Sequence, residues 1–84
     1  MGKQRKTLDA VLRGTSDANI SFADLLALLS ALGFRGHVRG DHHIFHRDGV
    51  EDIINIQPRG SKAKPYQVKQ IRGIIVKHRL GDSL

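Results

Sequence analysis

Apolar residues along this chain follow a helical period, then a strand period, then a helical period again. Between Ser21 and Gly33 they recur every three or four positions, which predicts one buried helix face. That face consists of Phe22, Leu25, Leu26, Leu29 and Leu32. Ser21 is a favourable N-cap, Asp24 stands at the third helical position as in a capping box, and Gly33 is a typical C-terminal stop. We therefore expect a helix over residues 21–32.

Three short segments follow this helix and predict strands. They cover residues 34–39, 42–47 and 50–57. Gly-Asp and Asp-Gly dipeptides separate them, and Asp-Gly between apolar alternations is a strong hairpin signal. In the third segment Val50, Ile54 and Ile56 share one face, and the other face carries Glu51, Ile53 and Asn55. The simplest arrangement is a meander of three antiparallel strands.

The last part of the chain begins with a basic segment and ends in a second amphipathic helix. Residues 58–64, PRGSKAK, predict a flexible basic loop. Pro65 suits the first turn of a helix, and Gly81 suits its end. The apolar stripe of this helix consists of Val68, Ile71, Ile74 and Ile75. Lys69 and Arg72 lie near the opposite face.

Residues 1–19 differ in character from the rest of the chain. They begin basic, carry Leu8, Val11 and Leu12 at helical spacing, and then run into a polar connector. This segment is either a short helix packed on the domain or a loosely held arm. The sequence thus predicts an N-terminal extension over 1–19 and one small domain over 20–81. Two helices on one face of a three-stranded antiparallel sheet make an α+β sandwich with an open sheet face.

The charge of the chain favours a polyanionic partner. The formal net charge is +6, and no acidic residue lies between Asp52 and Asp82. That interval holds seven basic residues: Arg59, Lys62, Lys64, Lys69, Arg72, Lys77 and Arg79. A merely solvated face usually interleaves both signs, so nucleic acid binding is the better interpretation. Cysteine is absent, and no apolar run approaches the ~18 residues of a membrane span, so we expect a cytoplasmic protein without thiolate metal sites.

Histidines are concentrated in one of the predicted strands, within the segment RGDHHIFHRDG at residues 39–49. Alternation puts His42 with His46 on one face and His43 with Phe45 on the other. The large Phe45 ring buries more area, so we expect it to face the helices and His42 to face solvent; the opposite arrangement would expose His43. At a rise of ~3.3 Å per residue, His42 and His46 would be about 13 Å apart, too far to chelate one ion. No metal site is expected.

Several stretches of the chain match a known family. They are LLSALGF (28–34), RGDHHIF (39–45) where the family has a Gly-Ser-His signature, and IINIQ followed by GSKAKPYQVKQIRGII (60–75). Over roughly residues 21–80, the chain resembles the HicA toxins of bacterial and archaeal toxin–antitoxin systems. The resemblance implies a double-stranded-RNA-binding-domain-like fold, cleavage of mRNA without a ribosome, and neutralisation by a HicB antitoxin. Gly60-Ser61-Lys62 is similar to part of a phosphate loop but lacks the Walker spacing, so no nucleotide cofactor is expected.

By this resemblance His42 is catalytic, and His43 is its partner or a positioning residue. RNA carries its own nucleophile, the 2′-hydroxyl, so a metal-free nuclease needs a base, an acid and cations for the charge on phosphorus. Histidine suits the first two tasks because an unperturbed pKa of about 6.5 keeps both protonation states available near neutral pH. The expected RNA-binding residues are Arg39, Arg59, Lys62, Lys64, Lys69 and Arg72.

The sequence leaves two alternatives open. Asp41 replaces the serine of the family signature, and it is either an ordinary turn residue, which we favour, or a carboxylate that favours the protonated form of His42. The chain could also belong to a different functional class, a non-catalytic RNA-binding module that uses the basic region 59–79.

Overall fold

The elements of the chain follow the predicted order. The computed structural model describes residues 2–84, apart from the side chain of Ser83. Its helices are α1 (Lys3–Arg13), α2 (Phe22–Ala31) and α3 (Pro65–Lys77), and its strands are β1 (Arg35–Arg39), β2 (His42–Arg47), β3 (Val50–Ile56), β4 (Pro58–Arg59) and β5 (Lys62–Ala63). Short 3₁₀ turns cover Asp17–Asn19 and Leu80–Ser83. Helix, three-stranded antiparallel sheet and helix make an α+β fold with the layout of a double-stranded-RNA-binding domain, so the predicted fold class is confirmed.

The core lies between the helices and one face of the meander β1-β2-β3. Phe45, Val50, Ile54 and Ile56 are buried there, as the strand alternation predicted. α2 and its C-cap residue contribute Leu25, Leu28, Leu29 and Leu32, and α3 contributes Val68, Ile71, Ile74 and Ile75. Each large side chain buried in this way stabilises the fold by about 1.5–3 kcal/mol. Within residues 2–84, no helix combines the length and the apolar character that crossing a membrane requires.

α2 begins where the sequence predicted, because Ser21 caps it. Ser21 Oγ accepts a hydrogen bond from the backbone N–H of Asp24 at 3.3 Å. The Asp24 carboxylate points instead to α1, where it lies 3.1 Å from Lys3 Nζ. Since the Lys3 side chain is mostly exposed, this ion pair adds little stability, but it brings α1 beside the start of α2.

The N-terminal extension contains a packed helix rather than a loose arm. Leu8 and Val11 of α1 are buried in the same core as α2 and α3. The buried stripe of α2 is shifted slightly from the predicted one, since Leu28 outside that stripe is fully buried whereas Leu26 within it is only partly buried. The division of the chain into residues 1–19 and 20–81 stays a prediction.

The basic segment 58–64 is more ordered than the flexible loop that the sequence predicted. β4 and β5 form a small hairpin around Gly60, whose φ of +60° suits glycine. The hairpin is hydrogen-bonded to the segment that leads into α2, since the N–H of Ala63 donates to the carbonyl of Ile20 at 2.9 Å. The flexible-loop prediction is therefore wrong, because local composition carries no information about backbone hydrogen bonds to a distant part of the chain.

α3 ends before the predicted stop at Gly81. Arg79 takes a left-handed φ of +55°, and the following 3₁₀ turn returns Leu80 to the core, where it is 4% exposed. His78 Nε2 lies 3.0 Å from Asp52 Oδ2, and this hydrogen bond is the main cause that holds the pKa of the Asp52 carboxyl below its ordinary value of 3.8. The end of α3 is thus fastened to β3.

Gly36 in β1 leaves room for the Phe45 ring on the neighbouring strand. A Cβ at Gly36 would lie 2.6 Å from the nearest ring carbon of Phe45. We expect Gly36→Ala to destabilise the fold by about 1–3 kcal/mol, because the buried ring must leave its position. Urea denaturation followed by circular dichroism measures this change.

Gly73→Ala in the middle of α3 is the matched control for Gly36→Ala. Apart from the neighbouring residues and backbone of α3 itself, no described atom lies within 4 Å of a Cβ at Gly73. Alanine there should stabilise the helix by about 0.5–1 kcal/mol, because it restricts the unfolded chain without meeting a neighbour. Similar effects of the two substitutions would contradict the role of Gly36 in packing.

Candidate functional site

The side of the sheet away from the helices, here called the outer sheet face, is open. Its members are Arg35, His37 and Arg39 of β1, His42, Ile44 and His46 of β2, and Glu51, Ile53 and Asn55 of β3. Strand pairing places Arg39 opposite His42, and Asn55 opposite Ile44. Phe45 faces the core and is 7% exposed, so the predicted orientation of β2 is confirmed. His42 therefore points outward.

His42 stands at the start of β2, where two amide side chains contact its ring. Nδ1 of His42 lies 3.0 Å from Asn55 Oδ1, and Nε2 of His42 lies 3.2 Å from Gln57 Nε2. Asp41 Oδ1 is 3.8 Å from the same Nε2 atom. The His42 side chain is 46% exposed. The ring is thus held in position and also open to a ligand on the outer sheet face.

Gln57 extends these contacts to the start of α3. Its Oε1 accepts a hydrogen bond from Lys64 Nζ at 3.0 Å, and its Nε2 donates to Asp41 Oδ1 at 3.3 Å. Lys64 is the residue that precedes α3. One amide therefore links the predicted catalytic histidine to a predicted RNA-binding lysine. We call Asp41, His42, Asn55, Gln57 and Lys64 the His42 network.

Asn55 and Gln57 are the two members of the network that sequence reasoning did not identify. Alternation places Asn55 on the outer side of β3, which was a usable signal. Selecting it over Ile53 on the same side requires the register between β2 and β3, which local patterns do not supply. Gln57 lies just beyond the end of β3, where alternation predicts nothing.

His43, the second predicted catalytic residue, lies on the other side of β2. Its ring meets the Phe22 ring edge-on, with the ring centroids 5.0 Å apart and the ring planes at 73°. Such edge-to-face pairs are worth about 0.5–1.5 kcal/mol beyond the area that they bury. The structure therefore places His43 in a packing contact and separates it from the face that carries His42.

The histidines of β2 do not converge on one point. His46 shares the outer sheet face with His42, but Ile44 stands between them, and His43 is on the opposite side. In the part of the chain that the structure describes, no group of three or more His, Cys, Asp or Glu side chains is arranged to hold a metal ion.

Most of the predicted RNA-binding residues are exposed. These are Arg39, Arg59, Lys62 and Lys69. Arg39 lies opposite His42, and Lys64 belongs to the His42 network. Arg59 and Lys62 pair with each other across the small hairpin, which follows Gln57 directly in the chain. Positively charged residues thus lie opposite His42 in β1 and in the hairpin that follows Gln57.

Arg72, also predicted to bind RNA, is engaged inside the protein. Its Nη1 donates to Asp17 Oδ1 at 2.9 Å and to the Val11 carbonyl at 3.0 Å, while its Nη2 donates to Asp17 Oδ2 at 3.1 Å. The hydrogen bonds to Asp17 raise the pKa of Arg72 above its ordinary value, so the guanidinium stays charged. The three hydrogen bonds from Arg72 hold α1 and the connector that contains Asp17 against α3. We therefore leave Arg72 out of the surface that we propose for RNA.

A family model matches most of the chain. The family is described as HicA toxin of bacterial toxin-antitoxin, and the match covers residues 22–78 of the 84. The matched range begins at the first residue of α2 and ends just after α3, so it contains the whole His42 network and excludes α1. No curated protein and no solved structure matches the chain significantly.

Proposed function

This chain belongs to the HicA toxin family of bacterial toxin–antitoxin systems, and on that premise we propose that it is a metal-independent endoribonuclease. It cleaves mRNA without a ribosome, in the cytoplasm, and His42 is its catalytic base. The observation that carries this proposal is the position of His42. Two amides hold its ring on the exposed outer sheet face, with Arg39 and Lys64 close by.

In the proposed reaction the 2′-hydroxyl of an RNA ribose is the nucleophile. His42 takes its proton while the 2′-oxygen attacks the adjacent phosphorus, and the bond from phosphorus to the 5′-oxygen breaks. The 5′-oxygen leaves with a proton from an acid or from water, and the other fragment ends in a 2′,3′-cyclic phosphate. Histidine can move the first proton near neutral pH without the help of a metal ion.

Cations near His42 suit the charge that develops on the phosphate. Arg39 approaches from β1 and Lys64 from the start of α3. Guanidinium and ammonium groups stabilise phosphate oxygens directly. Arg59 and Lys62 on the hairpin would hold the flanking RNA through its backbone, which carries no sequence information, so we expect a weak sequence preference.

Membership of the family implies an antitoxin partner, and we propose that this partner is of the HicB type. The net charge of +6 favours an acidic or closely complementary surface on the partner. Such a surface would block RNA by covering His42 and the hairpin 58–63. A complex whose contacts avoid both regions would contradict inhibition by occlusion of the site.

An RNA cleavage gel with and without EDTA tests the proposed function. We expect the purified protein to cut a long mRNA equally fast in both conditions and to leave cyclic phosphate ends. Loss of cutting in EDTA would instead indicate a metal-dependent nuclease. Salt-dependent binding without cutting would indicate the alternative, a non-catalytic RNA-binding module that uses the basic region 59–79.

A further inference from the structure

We propose that Asn55 and Gln57 are positioning residues that hold neutral His42 in one tautomer, with the proton on Nδ1 and the lone pair on Nε2. This inference rests on the proposed function, because it names the atom of His42 that accepts the proton of the 2′-hydroxyl. It follows from two side chains that can each act in only one way in a hydrogen bond. Lys64 can only donate, and the ionised Asp41 can only accept.

The amide of Gln57 fits its neighbours in one orientation. Lys64 Nζ carries only donors, so the Gln57 atom 3.0 Å from it is the oxygen. An ionised Asp41 carries only acceptors, so the Gln57 atom 3.3 Å from its Oδ1 is the nitrogen. The second hydrogen of that nitrogen is available to His42 Nε2, which lies 3.2 Å away. Gln57 therefore presents an N–H donor to His42.

A donor from Gln57 requires an acceptor on His42. Nε2 must carry its lone pair, and in the neutral ring the proton is then on Nδ1. Nδ1 lies 3.0 Å from Asn55 Oδ1, which accepts that proton in a hydrogen bond. Both amides favour the same tautomer, and they make Nε2 the basic atom of the ring. Nε2 has one lone pair, so the 2′-hydroxyl of the substrate takes the place of the Gln57 N–H before it transfers its proton.

Gln57 is itself held from the interior of the protein. Gln67 of α3 is 1% exposed, and its side-chain amide lies against the backbone of Gln57. In the orientation that satisfies both groups, the Gln67 nitrogen donates to the Gln57 carbonyl and the Gln67 oxygen accepts from the Gln57 N–H, each at 3.0 Å. α3 thus fixes the backbone of Gln57, and Lys64 fixes the end of its side chain.

Proton transfer changes the partner that His42 needs. Once Nε2 binds a proton it becomes a donor, and it then faces the N–H donor of Gln57. The nearby acceptor is Asp41 Oδ1, 3.8 Å from Nε2. Asp41, which occupies the serine position of the family signature, would therefore replace Gln57 as the partner of the imidazolium. The network has one set of contacts for the base and another for the protonated ring.

NMR spectroscopy of the full chain with ¹⁵N-labelled histidine tests the tautomer directly. At roughly pH 8, where an unperturbed histidine is neutral, ring ¹⁵N shifts distinguish the protonated nitrogen from the unprotonated one. The loss of one set of signals in His42→Ala assigns the ring. We expect a protonated Nδ1 and a bare Nε2 in the parent protein. A protonated Nε2 would overturn the proposal without any variant.

Variants of the two amides test which groups set the tautomer. Gln57→Glu offers an acceptor instead of a donor and should move the proton to Nε2. Asn55→Ala removes the acceptor of the Nδ1 proton while Gln57 still donates to Nε2, so it should weaken the preference and add a minor population protonated on Nε2. Asn55→Asp, which restores an acceptor, should remove that population. Gln70→Glu makes the same chemical change as Gln57→Glu at an exposed position of α3, and it should leave the His42 signals unchanged.

Cleavage kinetics connect the tautomer to the reaction. Asn55→Ala should lower kcat by about 10–100-fold with little change in KM, because the ring loses its alignment but the RNA-binding cations remain. Asn55→Asp should recover most of this loss. If the tautomer changes and kcat does not fall, Asn55 and Gln57 do not position His42 for catalysis.

The outcomes separate this inference from the proposed function. Identical tautomers in the parent and in the Gln57 and Asn55 variants would overturn the inference, whether or not RNA is cut. If the tautomers respond as expected and the parent protein does not cut RNA, the proposed function fails while the assignment of the tautomer stands.

Discussion

Replacing His42 by alanine is expected to slow RNA cleavage by about 10²–10⁴-fold, the range for the loss of one acid–base group. Arg39 and Lys64 remain in the variant, so RNA should still bind. The fold should persist, because the His42 side chain is 46% exposed and lies outside the core. Single-turnover cleavage of a labelled RNA measures the rate, and a binding isotherm at fixed salt measures the affinity.

The two other histidines of β2 provide controls for this experiment. His46→Ala removes an exposed imidazole from the same strand and face, and its cleavage rate should stay near that of the parent. His43→Ala removes the ring packed on Phe22, so it should lower the unfolding midpoint rather than the rate of the folded protein. The assignment of His42 is wrong if His42→Ala cuts as fast as the parent, or if His46→Ala loses as much.

The orientation of the candidate site could be predicted because β2 carries residues of unequal size. Phe45 gains more from burial than Ile44, and the period of two then fixes the direction of every other side chain in the strand. That argument alone separated His42 from His43 and removed the apparent histidine cluster. The β3 faces followed in the same way from Val50 and its apolar partners.

The contacts of His42 could not be predicted in this way, because they depend on register. Asn55 lies in β3, and Gln57 is the residue that follows β3. A shift of one residue in the register between β2 and β3 would place other side chains beside His42. The orientation of Gln57 also depends on Lys64, which the unexpected hairpin brings back toward the end of β3. Periodicity predicts faces, whereas hydrogen-bonded sites require alignment between segments.

The partner of Arg72 also could not be predicted from the sequence, because it depends on how distant segments fold together. The basic run suggested a surface for RNA, since no acidic residue is near Arg72 in the sequence. Its partner, Asp17, lies in the polar connector before α2 and meets Arg72 only because α1 folds back on α3. A count of basic residues along the sequence therefore overestimates the positive charge available on the surface, because it includes residues such as Arg72 that form ion pairs with distant parts of the chain.

Arg72→Ala is expected to destabilise the protein by about 2–3 kcal/mol, more than any surface ion pair would. The variant loses both hydrogen bonds to Asp17 and the one to the Val11 carbonyl, and it leaves the Asp17 carboxylate partly buried without its partner. Urea denaturation measures the free energy of unfolding. A double-mutant cycle with Asp17→Ala isolates the coupling, since removing both partners should cost less than the sum of the single changes.

Arg79→Ala is the matched control for Arg72→Ala. Arg79 pairs with Asp82 at 3.6 Å, but both side chains are largely exposed, so its loss should change stability by no more than about 0.5 kcal/mol. RNA affinity then decides between the two roles of Arg72. If Arg72→Ala is as stable as Arg79→Ala and binds RNA more weakly, the guanidinium binds RNA as the sequence predicted. If it is much less stable and its folded fraction binds RNA normally, Arg72 serves to hold α1 in place.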